Sequence, residues 1–394
     1  MKGEQKITEP YGIAVANIAM QPDGKRRWSD DEKEHAQDIN DSFLAQVESG
    51  LKDDQGKVGV GRTCDRSIQP DAHREQYLSE VQNKLNAELA VSLTLTPSGQ
   101  RIEVEIELSI GSRGGWNEAQ ELADYYEFRA GTIGDSLEVR ASLSKASVGE
   151  LLTPYIRMLR AIASYANSQY AFAIDILKNI LATAESADDL KKLAFVLKGN
   201  AEGRLNRPGS VDRAAAEFNS ALAIDSSYAR AILGLAEIDY QKGLSAISHA
   251  GPKCEGKLTP QAKGRLDASI GKYESVYAAA ATSRVPDVDV RAKFGTGRTY
   301  ACMLRLGDSS KAEAAVRDLK YVTEKFESDR KETWLRPLAS GAYGELALIY
   351  CSQRRREDAL ANFDKAYDWA VDGARAEEYD DARKTISGNG SYCS

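Results

Sequence analysis

The stretch KVGVGRTCDRSI, residues 57–68, joins two glycines to an arginine, a threonine and a cysteine. Such a set suits a glycine loop whose backbone N–H groups cradle phosphate, or a thiol activated by a nearby cation. It also suits an ordinary strand, because Val58 and Val60 alternate with the glycines. No helix start follows Gly61 directly, which favours the strand. Arg62 and Thr63 then stand at its carboxyl end, where α/β domains meet ligands, as the rim of a binding crevice. GPKCEGKL, residues 251–258, fits the phosphate-loop spacing G-x-x-x-x-G-K. Leu258 stands where Ser or Thr would hold Mg²⁺, and both flanks are helical, so this is read as an inter-helix loop. GTGR, residues 295–298, lies inside a helical pattern, where small residues let helices approach closely. Glu103, Glu105 and Glu107 alternate along one strand and suit acid–base work or a metal. The other face of that strand is wholly apolar, so the glutamates are read as a solvated outer face. Arg354, Arg355 and Arg356 suit an acidic peptide or a phosphate, and equally a solvated turn.

The remaining reactive types are sparse. Three histidines, His35, His73 and His249, are far apart, which gives little support to a histidine metal site or a His-based triad. Cys64, Cys254, Cys302, Cys351 and Cys393 form no CxxC pair, so zinc-ribbon spacing is absent and their redox state stays open. The residues thus point to no catalytic group, cofactor or metal. The net charge of −7 argues against nucleic acid, which needs concentrated positive charge. No window nears the ~18 consecutive apolar residues of a membrane span. The start MKGEQKITEP has no apolar core of a signal peptide.

The elements that must position these residues change period along the chain. The first ~145 residues mix strand and helix patterns. Ile13, Val15 and Ile18 mark a buried strand. Ile39, Phe43, Leu44 and Val47 mark a helix that Ser29 and Glu32 open as a capping box. Residues 57–63 form a second strand, and Pro70 opens a helix carrying Leu78, Val81 and Leu85. Leu89 to Leu95 and Ile102 to Ile110 alternate with period two around Pro97-Ser98-Gly99, a hairpin signal. Leu137, Val139, Ala141 and Leu143 alternate again and predict one more strand. From about Ser147 the period is helical throughout. A small residue, a large one at +4 and a small or apolar one at +7 recur on one helix face. The copies are Ala173/Leu177/Ile180, Ala214/Phe218/Ala221, Ser269/Tyr273/Val276, Ala312/Val316/Leu319 and Ala359/Phe363/Ala366.

The last copy resembles a tetratricopeptide repeat: Tyr343, Leu346 and Tyr350 on a first helix, then Ala359, Phe363 and Ala366 on a second. Ala347 replaces the family's glycine, and the closing proline is absent. Another kind of helical bundle is the alternative. The N-terminal half resembles the TolB-type N-terminal α/β domain over about residues 11–110. The matching pieces, in order, are IAVANI, AQDINDSFLAQV, KVGVGRT and the helix-plus-hairpin LSEVQNKLNAELAVSLTLTPSGQRIEVEIELSI. Residues 111–147 match neither family. The resemblances imply an α/β domain with a mixed sheet over residues 1–146. An all-α, tetratricopeptide-like superhelix of about five irregular helix pairs and a terminal helix follows over 147–394. They imply a non-enzymatic protein- or peptide-binding sensor or scaffold of a bacterial signalling or envelope assembly. The alternative is a region that senses a small molecule or nucleotide for a larger protein. A periplasmic or other extracytoplasmic setting is implied slightly ahead of the cytoplasm. First-helix candidates for meeting a partner, which need not be core, are Lys198, Glu202, Arg298 and Glu345, with Arg354, Arg355 and Arg356 at a turn. Nothing indicates a homo-oligomer.

Overall fold

The computed structural model of the chain describes residues 7, 11–20, 29–51, 58–62, 74–98, 101–111, 124–133, 137–183, 187–251, 254–282, 288–328, 335–370 and 373–389. Thr63, Cys64, Pro70 and Cys393 lie outside them. The chain divides into two compact units, Met1–Ser210 and Val211–Ser394.

The first unit is built on one mixed sheet. β1 (Tyr11–Val15) pairs in parallel with β3 (Val58–Arg62) on one side and β4 (Leu89–Ser98) on the other. The short β2 (Ala19–Met20) also joins β4. β4 and β5 (Arg101–Ile110) form the expected hairpin, and β6 (Asp124–Ile133) closes the sheet in the order β3-β1-β4-β5-β6. Helix α1 (Asp30–Gly50) links β1 and β2 to β3, and α2 (Arg74–Leu85) links β3 to β4. The two helices cover opposite faces. Phe43 and Val47 of α1 share a core with Leu89, Val91, Leu93 and Leu95, while Leu78, Val81 and Leu85 of α2 pack with Ala14, Ala16 and Ala90. Period two in β4 thus serves two cores. Gly61 keeps its backbone open to Ile7, whose side chain a Cβ would meet at 3.0 Å.

Two expectations are corrected here. Residues 137–143 are not a strand but the start of α3 (Leu137–Ala166). Leu137, Ala141, Val148, Leu152 and Tyr155 also fit a helical period, and the longer run decides. The 146/147 position accordingly falls inside α3. The strand that does follow the hairpin is β6, where buried Tyr126 and Phe128 alternate with exposed Glu127 and Arg129. Helices α3, α4 (Tyr170–Ala182) and α5 (Asp188–Arg204) continue the same apolar core from the sheet through Tyr165, Leu177 and Leu197.

The second unit is helical: α6 (Ser210–Ile224), α7 (Ala229–Ser245), α8 (Pro260–Ala278), α9 (Val288–Arg305), α10 (Ala312–Ser328), α11 (Arg336–Ser352), α12 (Arg356–Asp368) and α13 (Gly373–Asn389). From α7 onward each helix packs on the next. In addition α9 touches both α7 and α11, so these three lie side by side in one layer. A two-stranded hairpin, β7 (Ser248–Gly251) and β8 (Glu255–Lys257), separates α7 from α8. Of GPKCEGKL, Gly251 and Glu255–Lys257 are therefore strand residues of an inter-helix hairpin, and Pro252 and Lys253 lie outside the described residues. The recurring triads are buried on α4, α6, α8 and α12. On α10 the register is one turn later than expected: Ala315, Leu319 and Val322 are buried, whereas Ala312 and Val316 are half-exposed. Both triads obey the same +4 and +7 offsets, and only the neighbouring helices select between them.

The small-residue reading of GTGR holds. A Cβ on Gly295 would lie 2.4 Å from the Tyr273 ring of α8, and one on Gly297 would lie 2.8 Å from Leu319 of α10. α9 is thus clasped between α8 and α10 through its two glycines.

Candidate functional site

The layer formed by α7, α9 and α11 carries a connected polar group centred on Tyr240. On one side of it, Arg298 of α9 pairs with Glu237 of α7. The Tyr273 hydroxyl donates to Glu237 at 3.1 Å and accepts from Arg298 at 3.0 Å. The guanidinium also lies 4.5 Å from the Tyr240 ring centre and 5.5 Å from that of Phe294. Gln241 donates to the other Glu237 oxygen at 3.4 Å. On the other side, Arg305 of α9 pairs with Glu345 of α11 at 2.6 Å. Burial pushes the Tyr240 hydroxyl well above the usual phenol range, the nearby Glu345 carboxylate adds to this, and Arg305 opposes it. Tyr240 stays a protonated donor. The α-helical period explains the alignment: Glu237, Tyr240, Gln241 and Leu244 fall on one side of α7, and Arg298, Cys302 and Arg305 on one side of α9.

The structure therefore brings Arg298 and Glu345 into one layer and shows each tied to a neighbouring helix. Lys198 and Glu202 lie on α5 in the other compact unit, and Glu202 is buried, unlike the partner-facing residue expected. The triple arginine is only partly available. Arg354 occupies a left-handed turn position. Arg355 pairs with Asp358 at 2.7 Å and lies 4.3 Å from the Tyr350 ring centre, and Arg356 donates to the Ser387 carbonyl at 2.8 Å. A preformed three-arginine phosphate cradle is not what these contacts make.

At the carboxyl edge of the sheet, Arg62 does end β3 as expected, but it pairs with Asp41 of α1 at 2.6 Å. The strand order reverses between β1 and β4, the place where an open α/β sheet forms its ligand crevice. There β2 lies against Thr94 and Leu95, so the chain itself fills the space beside β4.

The glutamate row is corrected. Glu107 is buried, not solvated. Its carboxylate accepts from Arg74 Nε at 2.7 Å, Ser92 Oγ at 2.7 Å and Thr94 Oγ1 at 2.8 Å. Helix α2 lies over this face, and Arg74 opens that helix. Gln82 of the same helix donates to the carbonyls of Glu88 and Ser109 at 3.0 and 2.9 Å. Glu105 is half-buried, and burial together with Glu127 holds its carboxyl above the usual range. The signal for this cover was present in the sequence. The polar face of β4 reads Ala90, Ser92, Thr94, Thr96, all short and uncharged, which suits a packed polar face.

Cys254 and Cys302 form a disulfide that joins the hairpin after α7 to α9, and Cys351 is also disulfide-bonded. Spacing alone did not reveal these pairings. Among the described residues, no group of three or more His, Cys, Asp or Glu is placed to hold a metal, and no helix is long and apolar enough to cross a membrane. Comparison with known proteins adds no relative: no family model matches the chain, and no curated protein matches it.

The ion pair between Glu237 and Arg298 is expected to act as a tie between α7 and α9. In a double-mutant cycle, Glu237→Gln and Arg298→Met should couple by about 1 kcal/mol, the upper end for half-exposed pairs. Urea titrations of the four proteins measure it, and strictly additive losses would remove the tie.

Proposed function

We propose that the chain is a non-enzymatic binding module whose helical unit receives a protein or peptide along α7, α9 and α11. The observation that carries this is the side-by-side layer of three helices, bordered by the half-exposed side chains Glu237, Gln241, Arg298, Arg305, Glu345 and Leu348. Stacked helix pairs present such a layer as an extended surface suited to a peptide or a partner helix. The tetratricopeptide-like triads support the same reading. The TolB-like α/β unit would give a second contact or relay occupancy, as part of a bacterial sensor or scaffold. The disulfides favour an oxidising, extracytoplasmic setting, because such bonds persist there and are rare in the cytosol.

Affinity capture with paired variants tests this. Wild-type protein should retain a specific partner from cell extract. Gln241→Arg with Leu348→Arg should lose it at least tenfold, while Tyr367→Arg on α12 should retain it, all three melting within a few degrees of one another. Equal capture by all three, or capture of nothing specific, would refute the proposal.

A further inference from the structure

The disulfide between Cys254 and Cys302 lies among groups that a purely structural crosslink does not need. Cys302 stands on α9 four residues after Arg298 and three before Arg305, so the three residues share one side of the helix. The Tyr240 hydroxyl lies 3.8 Å from Cys254 Sγ. A phenol O–H this close to sulfur donates to a thiolate and so favours the reduced form of the pair, while burial of both cysteines acts against it. Cys254 also holds a left-handed backbone, φ +60°, which disfavours a residue with a side chain and persists only where its surroundings enforce it. The hairpin that carries it is short. Glu255, Gly256 and Lys257 are all exposed, and an isolated two-stranded hairpin is marginal in water. Both cysteines are buried, so a reductant reaches them through opening of this hairpin and not through the helices.

We propose that Cys254–Cys302 is a reducible latch that fastens the β7–β8 hairpin to the ends of α7 and α9 beside Tyr240. A dithiol supplies the electrons. One of its thiolates attacks one latch sulfur, which breaks the S–S bond, releases the other latch sulfur as a thiolate and leaves a mixed disulfide. Its second thiolate then attacks the dithiol's own sulfur in that mixed disulfide and displaces the latch sulfur attacked first. The dithiol ends as a cyclic disulfide, and its two protons and two electrons appear on Cys254 and Cys302 as thiols. Once released, Cys254 leaves its left-handed conformation, the hairpin detaches, and the Tyr240 side of the layer is uncovered. The latch would thereby set how much of the α7–α9 surface is open, whether or not a partner is present.

The test uses the full chain in dithiothreitol buffers of graded reduced-to-oxidised ratio, quenched by alkylation and read by mass spectrometry. The latch should open at a lower ratio than the bond at Cys351. Amide exchange over residues 248–251 and 254–257 should then rise about tenfold while far-ultraviolet dichroism stays unchanged. Tyr240→Phe should raise the ratio needed by roughly threefold, because the O–H beside Cys254 Sγ is lost. Cys254→Ser with Cys302→Ser should reproduce the fast exchange without reductant. A latch that opens only together with loss of helical signal, or no more easily than the bond at Cys351, would overturn the proposal. So would fast exchange that is absent from the double serine variant.

Discussion

Glu107→Ala is expected to remove about 3–5 kcal/mol of stability, enough to unfold the α/β unit under mild conditions. The carboxylate is buried, and Arg74, Ser92 and Thr94 all donate to it. Truncation leaves the Arg74 guanidinium, whose side chain is 9% exposed, without its counter-charge. Arg74 is the first residue of α2, so the damage should begin by releasing that helix from the sheet. The large loss comes from stranding one ion, not from a large intrinsic value of the pair, because desolvating both partners already cancels much of their attraction. Arg74→Met combined with Glu107→Leu should therefore recover most of what Glu107→Ala loses. Urea denaturation of the three variants checks both statements. A loss under 1 kcal/mol for Glu107→Ala would mean that the face is solvated after all.

Gly295→Leu is expected to cost about 3 kcal/mol, the upper part of the range for overpacked cores. The Tyr273 ring already lies where the new Cβ must go, at 2.4 Å, and a Cβ on Gly297, on the adjoining side of α9, would meet Leu319 at 2.8 Å. Tyr273 has little freedom to yield, because its hydroxyl is held by Glu237 and Arg298. Gly295→Ala sets the same clash against the roughly 1 kcal/mol that alanine gains over glycine inside a helix, so its net loss should be smaller. Gly271 on α8 has nothing within 4 Å of its Cβ position, and Gly271→Ala should stabilise by about 0.5–1 kcal/mol. Thermal melts of this set separate packing from propensity. Similar behaviour at both glycines would show that α8 and α9 do not pack this closely.

These two sites also show how far the sequence was legible. The hairpin of β4 and β5 could be read because Leu89 to Leu95 and Ile102 to Ile110 alternate over a length that no helix mimics. The same alternation misled at Glu107. Period two separates the two faces of a strand but does not say whether a helix covers the polar one. On α9, Gly295 and Gly297 signalled close packing locally, yet Tyr273 and Leu319 are distant in sequence and only the fold names them. The α10 slip from Ala312 to Ala315 has the same origin, since a +4, +7 pattern is satisfied twice on one amphipathic helix. Arg298 and Glu345 were legible as first-helix polar residues. Their partners Glu237 and Arg305 were not, because an ion pair across helices has no sequence spacing of its own. The strand β6 could have been found from Tyr126 and Phe128 alternating with Glu127 and Arg129.

The central claim is that a partner meets the α7–α9–α11 layer. Site-specific photocrosslinking in the native host tests it most directly. A benzophenone side chain would replace Gln241 or Leu348 on the layer, Tyr277 or Tyr367 on exposed parts of α8 and α12, and Asp41 beside Arg62 on the α/β unit. The same discrete adduct should form from 241 and 348 and be absent from 277, 367 and 41. Adducts confined to 277, 367 or 41, or none from any position, would contradict it.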